Sequence, residues 1–429
     1  MDSRPRRPLS REEAARREIG VTAVTRGTAL ALCAGFVALM TVIPIFELSR
    51  AAAGDPAAAA PWQRLASIPS EARARDGLFE TNRAVLEGLH AFEDSLEDES
   101  RLGQTLRPGA QQFLTGVLGA GNEQAYVGRE GWLFYRPDVE YVTGPGFLQP
   151  DILERRVRTT EEWTAPPQPD PRPAIVELHR NLGSRGITLI VMPVPVKPTV
   201  HPDMLVDGFD RGALPQNPDY ARFLEDLRRE GVLVFDAATA LPGRSSDVSQ
   251  YLATDTHWRP EAMEAVADRL ARTIHEFVEL TVAANPDYRT SAVDVTGRGD
   301  ILGMLDLPER QMLFPPETVT IRRILQQDGS PWRSSPEADV LLLGDSFANI
   351  YSLESMAWGT SAGLAEQLSF ALGRPVDRMV QNDAGSYATR EMLARAEPSR
   401  LAPKRVVVYQ FAARELAFGD WRLLGVPEP

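Results

Sequence analysis

The sequence predicts a three-layer α/β domain with a mainly parallel sheet, preceded by a single transmembrane helix. Three observations carry this reading. From about residue 173 onward, short apolar runs alternate with amphipathic helical stretches, the pattern of a parallel sheet covered by helices. Those runs are apolar throughout rather than at every second position, so both faces of the sheet are covered. Near the N-terminus, residues 27–46 carry no charge, and their length suits the ~20 residues that a helix needs to cross a bilayer.

The chain has 429 residues, 43% hydrophobic and 24% charged, with a formal net charge of −13. That balance supports a real core and argues against nucleic acid as a partner. Seven arginines against four acids precede the apolar run, so the tail (1–26) is expected in the cytoplasm and the remainder outside it. A cleaved signal peptide is the alternative, with Ala51-Ala52-Ala53 as a small-residue site. The one cysteine, Cys33, lies inside the apolar run, which excludes an internal disulfide and thiol catalysis elsewhere.

In order, the segments read as an anchor (27–47), then a linker and helical spacer (48–110), then the catalytic domain (111–429). Residues 51–61 are Ala- and Pro-rich and read as a spacer from the membrane, and 71–102 as helical. Residues 128–135, Gly-Arg-Glu-Gly-Trp-Leu-Phe-Tyr, read as a turn and a short aromatic strand. Strands are expected at 187–193, 232–235, 339–343, 378–381 and 405–411. Helices are expected at 174–183, 219–229, from Pro260 onward, at 361–372 and at 387–395. Residues 281–335 read as a loop-rich insertion. In such sheets, ligands bind beyond the carboxyl ends of the strands.

Gly344-Asp345-Ser346-Phe347 follows the strand at 339–343 and places a serine at such an end. A serine needs a base within hydrogen-bond reach, and a strand-to-loop turn leaves backbone N–H groups for an oxyanion. The alternative is an ordinary turn or cap. Of five histidines, His90, His179 and His275 fall in helical segments and His201 in a Pro-rich loop. His257 stands before a helix start, two residues after Asp255. In an extended segment those side chains share a side, so Asp255 can fix the imidazole tautomer and leave the other nitrogen facing Ser346. The alternative there is that Asp255 caps the helix and His257 is incidental. No HExxH or paired-His spacing and no phosphate-binding loop is present, so neither metal nor cofactor is expected.

Gly-Asp-Ser-Phe, the upstream Asp-x-His, the Gly-Trp-Leu-Phe segment and the closing 406–416 stretch together resemble the AlgJ/AlgX type of alginate O-acetyltransferase, which is SGNH-hydrolase-like. The resemblance runs from about Tyr126 to the C-terminus, and the basic tail and anchor suit the AlgJ side. Ordinary SGNH esterases carry Asp-x-x-His after the serine; here Asp-x-His precedes it. The chain stops soon after Arg414, so the AlgX-like carbohydrate-binding module is not expected, nor tight, processive polymer binding. The resemblance implies acetyl transfer from a polytopic membrane acyltransferase, through an acetyl-serine, to hydroxyls of an exported alginate-like polysaccharide. The catalytic domain would lie on the periplasmic side of the inner membrane. It also implies an oxyanion hole built partly from the Ser346 backbone, with Asp345, Asn382 and Gly385 as further candidates, and Arg414 as a candidate for an anionic sugar. A carbohydrate acetylesterase with the same triad, or a non-catalytic scaffold of an export complex, is the alternative.

Overall fold

The computed structural model describes residues 25–75, 77–158, 165–209, 214–241, 249–281 and 287–425. The basic tail lies outside the described residues except for Thr25 and Arg26. The chain divides into two units, residues 1–107 and 108–429.

In the first unit, the apolar run is the core of a 27-residue helix, Arg26–Ala52, capped by the Thr25 hydroxyl. At ~1.5 Å rise per residue it is about 40 Å long, long and apolar enough to cross a membrane. Most of the expected spacer at 51–61 is helical: a second helix, Pro56–Arg73, begins with three residues between it and the end of the first. Asp55 caps it through Ala57 N and Pro56 fills its first turn, where a missing N–H breaks no bond. Alanine then outweighs Pro61, which loses one helical bond. The helix Leu78–Asp98 follows.

In the second unit, strands β1 (Ala125–Val127) and β2 (Leu133–Tyr135) form an antiparallel hairpin. Five strands form the main sheet: β3 (Thr188–Val194), β4 (Leu233–Val234), β7 (Val340–Gly344), β8 (Asp377–Val380) and β9 (Val406–Ala412). Their order is β4-β3-β9-β7-β8 and every pairing is parallel. All five expected strands are present.

The uniform apolarity follows from two cores. Ile190, Met192, Leu342, Val406 and Val408 face one of them, with Met263, Val266 and Leu270 of the helix Pro260–Phe277. Leu189, Val191, Leu341, Leu343 and Val407 face the other, with Ile175, Leu178 and Leu182 of the helix Pro171–Gly183. Successive strand residues alternate faces, so a strand buried on both sides shows no polar alternation.

The loop-rich reading of 281–335 is also corrected. Strands β5 (Arg289–Gly297) and β6 (Glu317–Leu325) form an antiparallel ribbon running from Arg289↔Leu325 to Gly297↔Glu317. Most of β5 is exposed and only Val319, Ile321 and Ile324 of β6 are buried. One strand therefore lacks the apolar signal, and the long connection hides the pairing.

Candidate active site

Strand β7 ends at Gly344, where an added Cβ would fall 2.8 Å from both Ala348 Cβ and Gln410 Oε1. Asp345 then turns the chain into the short helix Ser346–Asn349. Its Oδ1 accepts from Phe347 N (2.9 Å) and Gln410 Nε2 (2.7 Å), and its Oδ2 from Ala412 N (2.6 Å). Asp345 N donates to Gln410 Oε1 at 3.0 Å. Three of these bonds clip the end of β7 to β9 and the fourth closes the turn, which presents Ser346, 8% exposed, at the carboxyl edge of the sheet.

Asp255 and His257 lie within residues 253–257, which form a bend rather than the extended segment expected. Asp255 Oδ1 accepts from the backbone N of His257 (3.0 Å) and pairs with its Nδ1 (2.6 Å). Oδ2 accepts from Trp358 Nε1 (2.9 Å) and Asp300 N (3.1 Å). Burial alone would push the Asp255 carboxyl up; the facing imidazolium, its hydrogen bond and the Trp358 N–H outweigh it and hold the group at about 2. For His257, burial works downward, but Asp255 and then Asp300 prevail and its pKa is raised.

His257 lies against the Ser346 turn. Its ring centroid is 4.8 Å from that of Phe347, and Trp258 Nε1 donates to Phe347 O at 3.1 Å. Its Nε2 is buried and has no hydrogen-bond partner among the described residues. No Nε2–Ser346 bond is therefore formed in this state; such bonds commonly tighten only in the substrate complex.

A ring of charge surrounds the pair. Thr256 Oγ1 lies 3.0 Å from His257 Nδ1 and donates to Asp300 Oδ2 at 2.6 Å. Lys197, fully buried at the end of β3, donates to Leu133 O (2.8 Å) and Ala253 O (3.1 Å). Burial pushes its pKa down to about 8 against the pull of Asp255, Asp300 and Asp138.

Donor atoms of Asp255, His257 and Asp300 lie within 4.8 Å of one another, a spacing that could hold a cation. The 2.6 Å Nδ1–Oδ1 contact leaves no room for an ion between them, since metal–nitrogen and metal–oxygen bonds are each about 2 Å. Thr256 N and Oγ1 already donate to the two oxygens of Asp300. The donor set fits a hydrogen-bonded acid–base pair.

The other expected residues divide. Asn382 lies beyond β8 and accepts from Asn349 Nδ2 at 2.9 Å through Oδ1, which orients its own amide N–H₂ as a donor. Gly385 packs under Asp345, whose Oδ2 would lie 3.2 Å from an added Cβ. Asp345 itself presents only acceptors, already engaged, so it positions the turn and cannot donate to an oxyanion. Arg414, its side chain 17% exposed, donates to the buried Asp138 at 3.1 Å, an ion pair that holds the guanidinium. His201 Nε2 accepts from Gln250 N at 3.0 Å and its ring packs on Trp132, away from a role as base.

Sequence reasoning missed Trp358, Asp300, Thr256 and Lys197. For Asp300 the available signal was the adjacent Gly299: an added Cβ would sit 2.0 Å from Thr254 O and 2.4 Å from Asp255 N, so only glycine admits this approach.

A parallel sheet with its serine at a strand end and an Asp–His pair upstream in sequence defines the class, an SGNH-hydrolase-like domain. The family described as "SGNH hydrolase-like domain, acetyltransferase AlgX" matches residues 125–413, and the chain belongs to it. Probable alginate O-acetylase AlgJ of Pseudomonas aeruginosa is 27% identical over 335 residues, 76% of this chain and 79% of that protein. Its counterpart in Azotobacter vinelandii is 24% identical over 348 residues, 78% and 81% respectively. Among solved structures, the O-acetyltransferase domain of Pseudomonas putida AlgJ superposes with a TM-score of 0.51 at 21% identity, covering 69% of this chain and 93% of that one. That superposition carries the fold.

Proposed function

We propose that this protein is a membrane-anchored O-acetyltransferase that places acetyl groups on hydroxyls of an exported, alginate-like polysaccharide. The observation that carries it is the buried Asp255–His257 pair, with an unpartnered Nε2, packed against the Ser346 turn at the sheet's carboxyl edge. The names of the relatives, alginate O-acetylases, support the substrate class.

His257 Nε2 takes the proton of Ser346 Oγ as that oxygen bonds to the acetyl carbonyl carbon. The donor's oxygen then leaves with the proton, and an acetyl-serine remains. Asp255 keeps the proton of His257 on Nδ1 and offsets the imidazolium charge. A sugar hydroxyl next gives its proton to Nε2 and attacks the acetyl carbon; Ser346 leaves and recovers a proton. The Ser346 N–H and the Asn382 amide are the donors proposed for the oxyanion, with Gly385 leaving room beneath. The donor proposed is a polytopic acyltransferase of the same membrane. The helix Arg26–Ala52 supports tethering in the inner membrane with the domain on the periplasmic side.

Incubating the purified domain with an activated acetyl ester and mapping the adduct by peptide mass spectrometry tests the nucleophile. An acetyl group on the Ser346 peptide is expected; an undiminished adduct in Ser346→Ala overturns the assignment. Adding oligosaccharide acceptors then separates transfer from acetate release by an esterase.

A further inference from the structure

We propose that Asp300 is a positioning residue of the active site, a second carboxylate that tunes the basicity of His257 through Thr256. This rests on the reading of Asp255–His257 as the acid–base pair of the transfer reaction. The geometry is a continuous chain. His257 Nδ1–H faces Asp255 Oδ1 at 2.6 Å and Thr256 Oγ1 at 3.0 Å. The Thr256 hydroxyl gives its own proton to Asp300 Oδ2 at 2.6 Å, and Oδ2 itself lies 3.8 Å from Nδ1. Thr256 N donates to Asp300 Oδ1 at 2.7 Å, and Asp300 N donates to Asp255 Oδ2 at 3.1 Å. The two carboxylates therefore hold one another through the turn that carries His257, and both place negative charge on the same edge of the imidazole.

The site is built for this contact. Gly299 brings its backbone against Thr254 and Asp255, closer than any side chain permits, and Leu302 N closes the approach on Thr254 O. Asp300 keeps its outer edge in solvent, its side chain 35% exposed, whereas the Asp255 side chain is 3% exposed. A purely structural acid would be expected at the buried end; this one communicates with solvent.

The charged groups facing His257 are Asp255 and Asp300 on the Nδ1 side, and Arg414, whose charge opposes them. Lys197 and Asp138 lie beyond, Lys197 facing all three aspartates and Asp138 facing Arg414 and His257. Asp300 adds to the stabilisation of the imidazolium, so losing its charge makes His257 a weaker base.

The test combines catalysis with a readout that does not need it. In a Ser346→Ala background, the His257 ring is titrated by NMR with Asp300 intact, as Asp300→Asn and as Thr256→Val. In the active enzyme, kcat with an activated acetyl ester is followed against pH. Asp300→Asn is expected to lower the His257 midpoint, to move the acid limb of kcat by the same amount, and to reduce plateau kcat about tenfold, the worth of a hydrogen bond to a charged group. Thr256→Val, which keeps the carboxylate, is expected to move the midpoint less. Asp300→Glu is expected to restore it in part. A midpoint and limb that stay in place while kcat falls would show a structural role only and overturn the proposal. If Ser346 proves uninvolved in catalysis, the NMR shift still decides whether Asp300 tunes His257.

Discussion

Replacing Asp255 by asparagine removes one acceptor from a carboxylate that faces only donors. Oδ1 meets His257 N and Nδ1, and Oδ2 meets Trp358 Nε1 and Asp300 N. An asparagine has a single acceptor oxygen. With its amide N–H₂ toward Trp358 it orphans two buried donors; turned toward His257 it orphans the backbone N–H alone, because Nδ1 can become an acceptor by changing tautomer. Each orphan costs about 1–3 kcal/mol, so the second arrangement wins. It protonates Nε2, which then cannot receive the proton of Ser346. The expected outcome is a loss of about 10⁴ in kcat, the scale of a wrong tautomer in a serine triad, with about 1–3 kcal/mol lost in stability. Single-turnover acetylation of Ser346 and urea unfolding measure the two separately. An Asp255→Asn enzyme within tenfold of the parent would refute the assignment of His257 as base.

Gly299→Ala forces the Thr254–Asp255 backbone to move, since the new Cβ would overlap Thr254 O at 2.0 Å; a loss of about 1–3 kcal/mol is expected, with activity falling further than stability, both measured on the same preparation. The Asp255 pKa, held at about 2, lies below its ordinary value near 3.9. Its contribution is therefore full above about pH 4 and is lost as pH falls through about 2, which acid unfolding of parent and Asp255→Asn should show as curves that converge at low pH. His257 is raised, so its part of the pair's stability is present below its ordinary value near 6.5 and lost as pH rises through the folded value. The base must be neutral, so acyl transfer should switch on with an acid limb above 6.5. Arg414→Met strands the buried Asp138 carboxylate, which is already raised by burial against the pull of Arg414. A loss of about 3 kcal/mol is expected near neutral pH and a smaller one as the pH falls and Asp138 protonates; a loss that does not change with pH would assign the cost to packing.

Much of this was legible in local pattern. The runs that became β3, β7 and β9 are almost wholly apolar, without polar alternation, because each faces both cores, and periodicity reports that directly. Ser346 stands out in the sequence as a candidate because a strand end exposes whatever follows it, and His257 because Asp255 stands two residues before it. The pair meets across a bend closed by the His257 backbone N–H, not along the extended segment that the spacing suggests. The helix from Pro56 and the β5–β6 ribbon were missed for one physical reason. Proline and exposed polar residues weaken the local signal, while pairing and packing supply the missing free energy.

The chain's own order of residues determined which stretches would be strands, which serine would stand at a strand end, and which histidine had an acid beside it, because each of these is a relation between near neighbours. Only the tertiary structure decided what surrounds the imidazole. Asp300 and Trp358 reach Asp255 from 45 and 103 positions away, and Arg414 reaches Asp138 across 276. Contacts at such separations carry no period or spacing. They exist because the segments that follow β5 and β7 bring the Asp300 N–H and the Trp358 indole N–H to the one carboxylate.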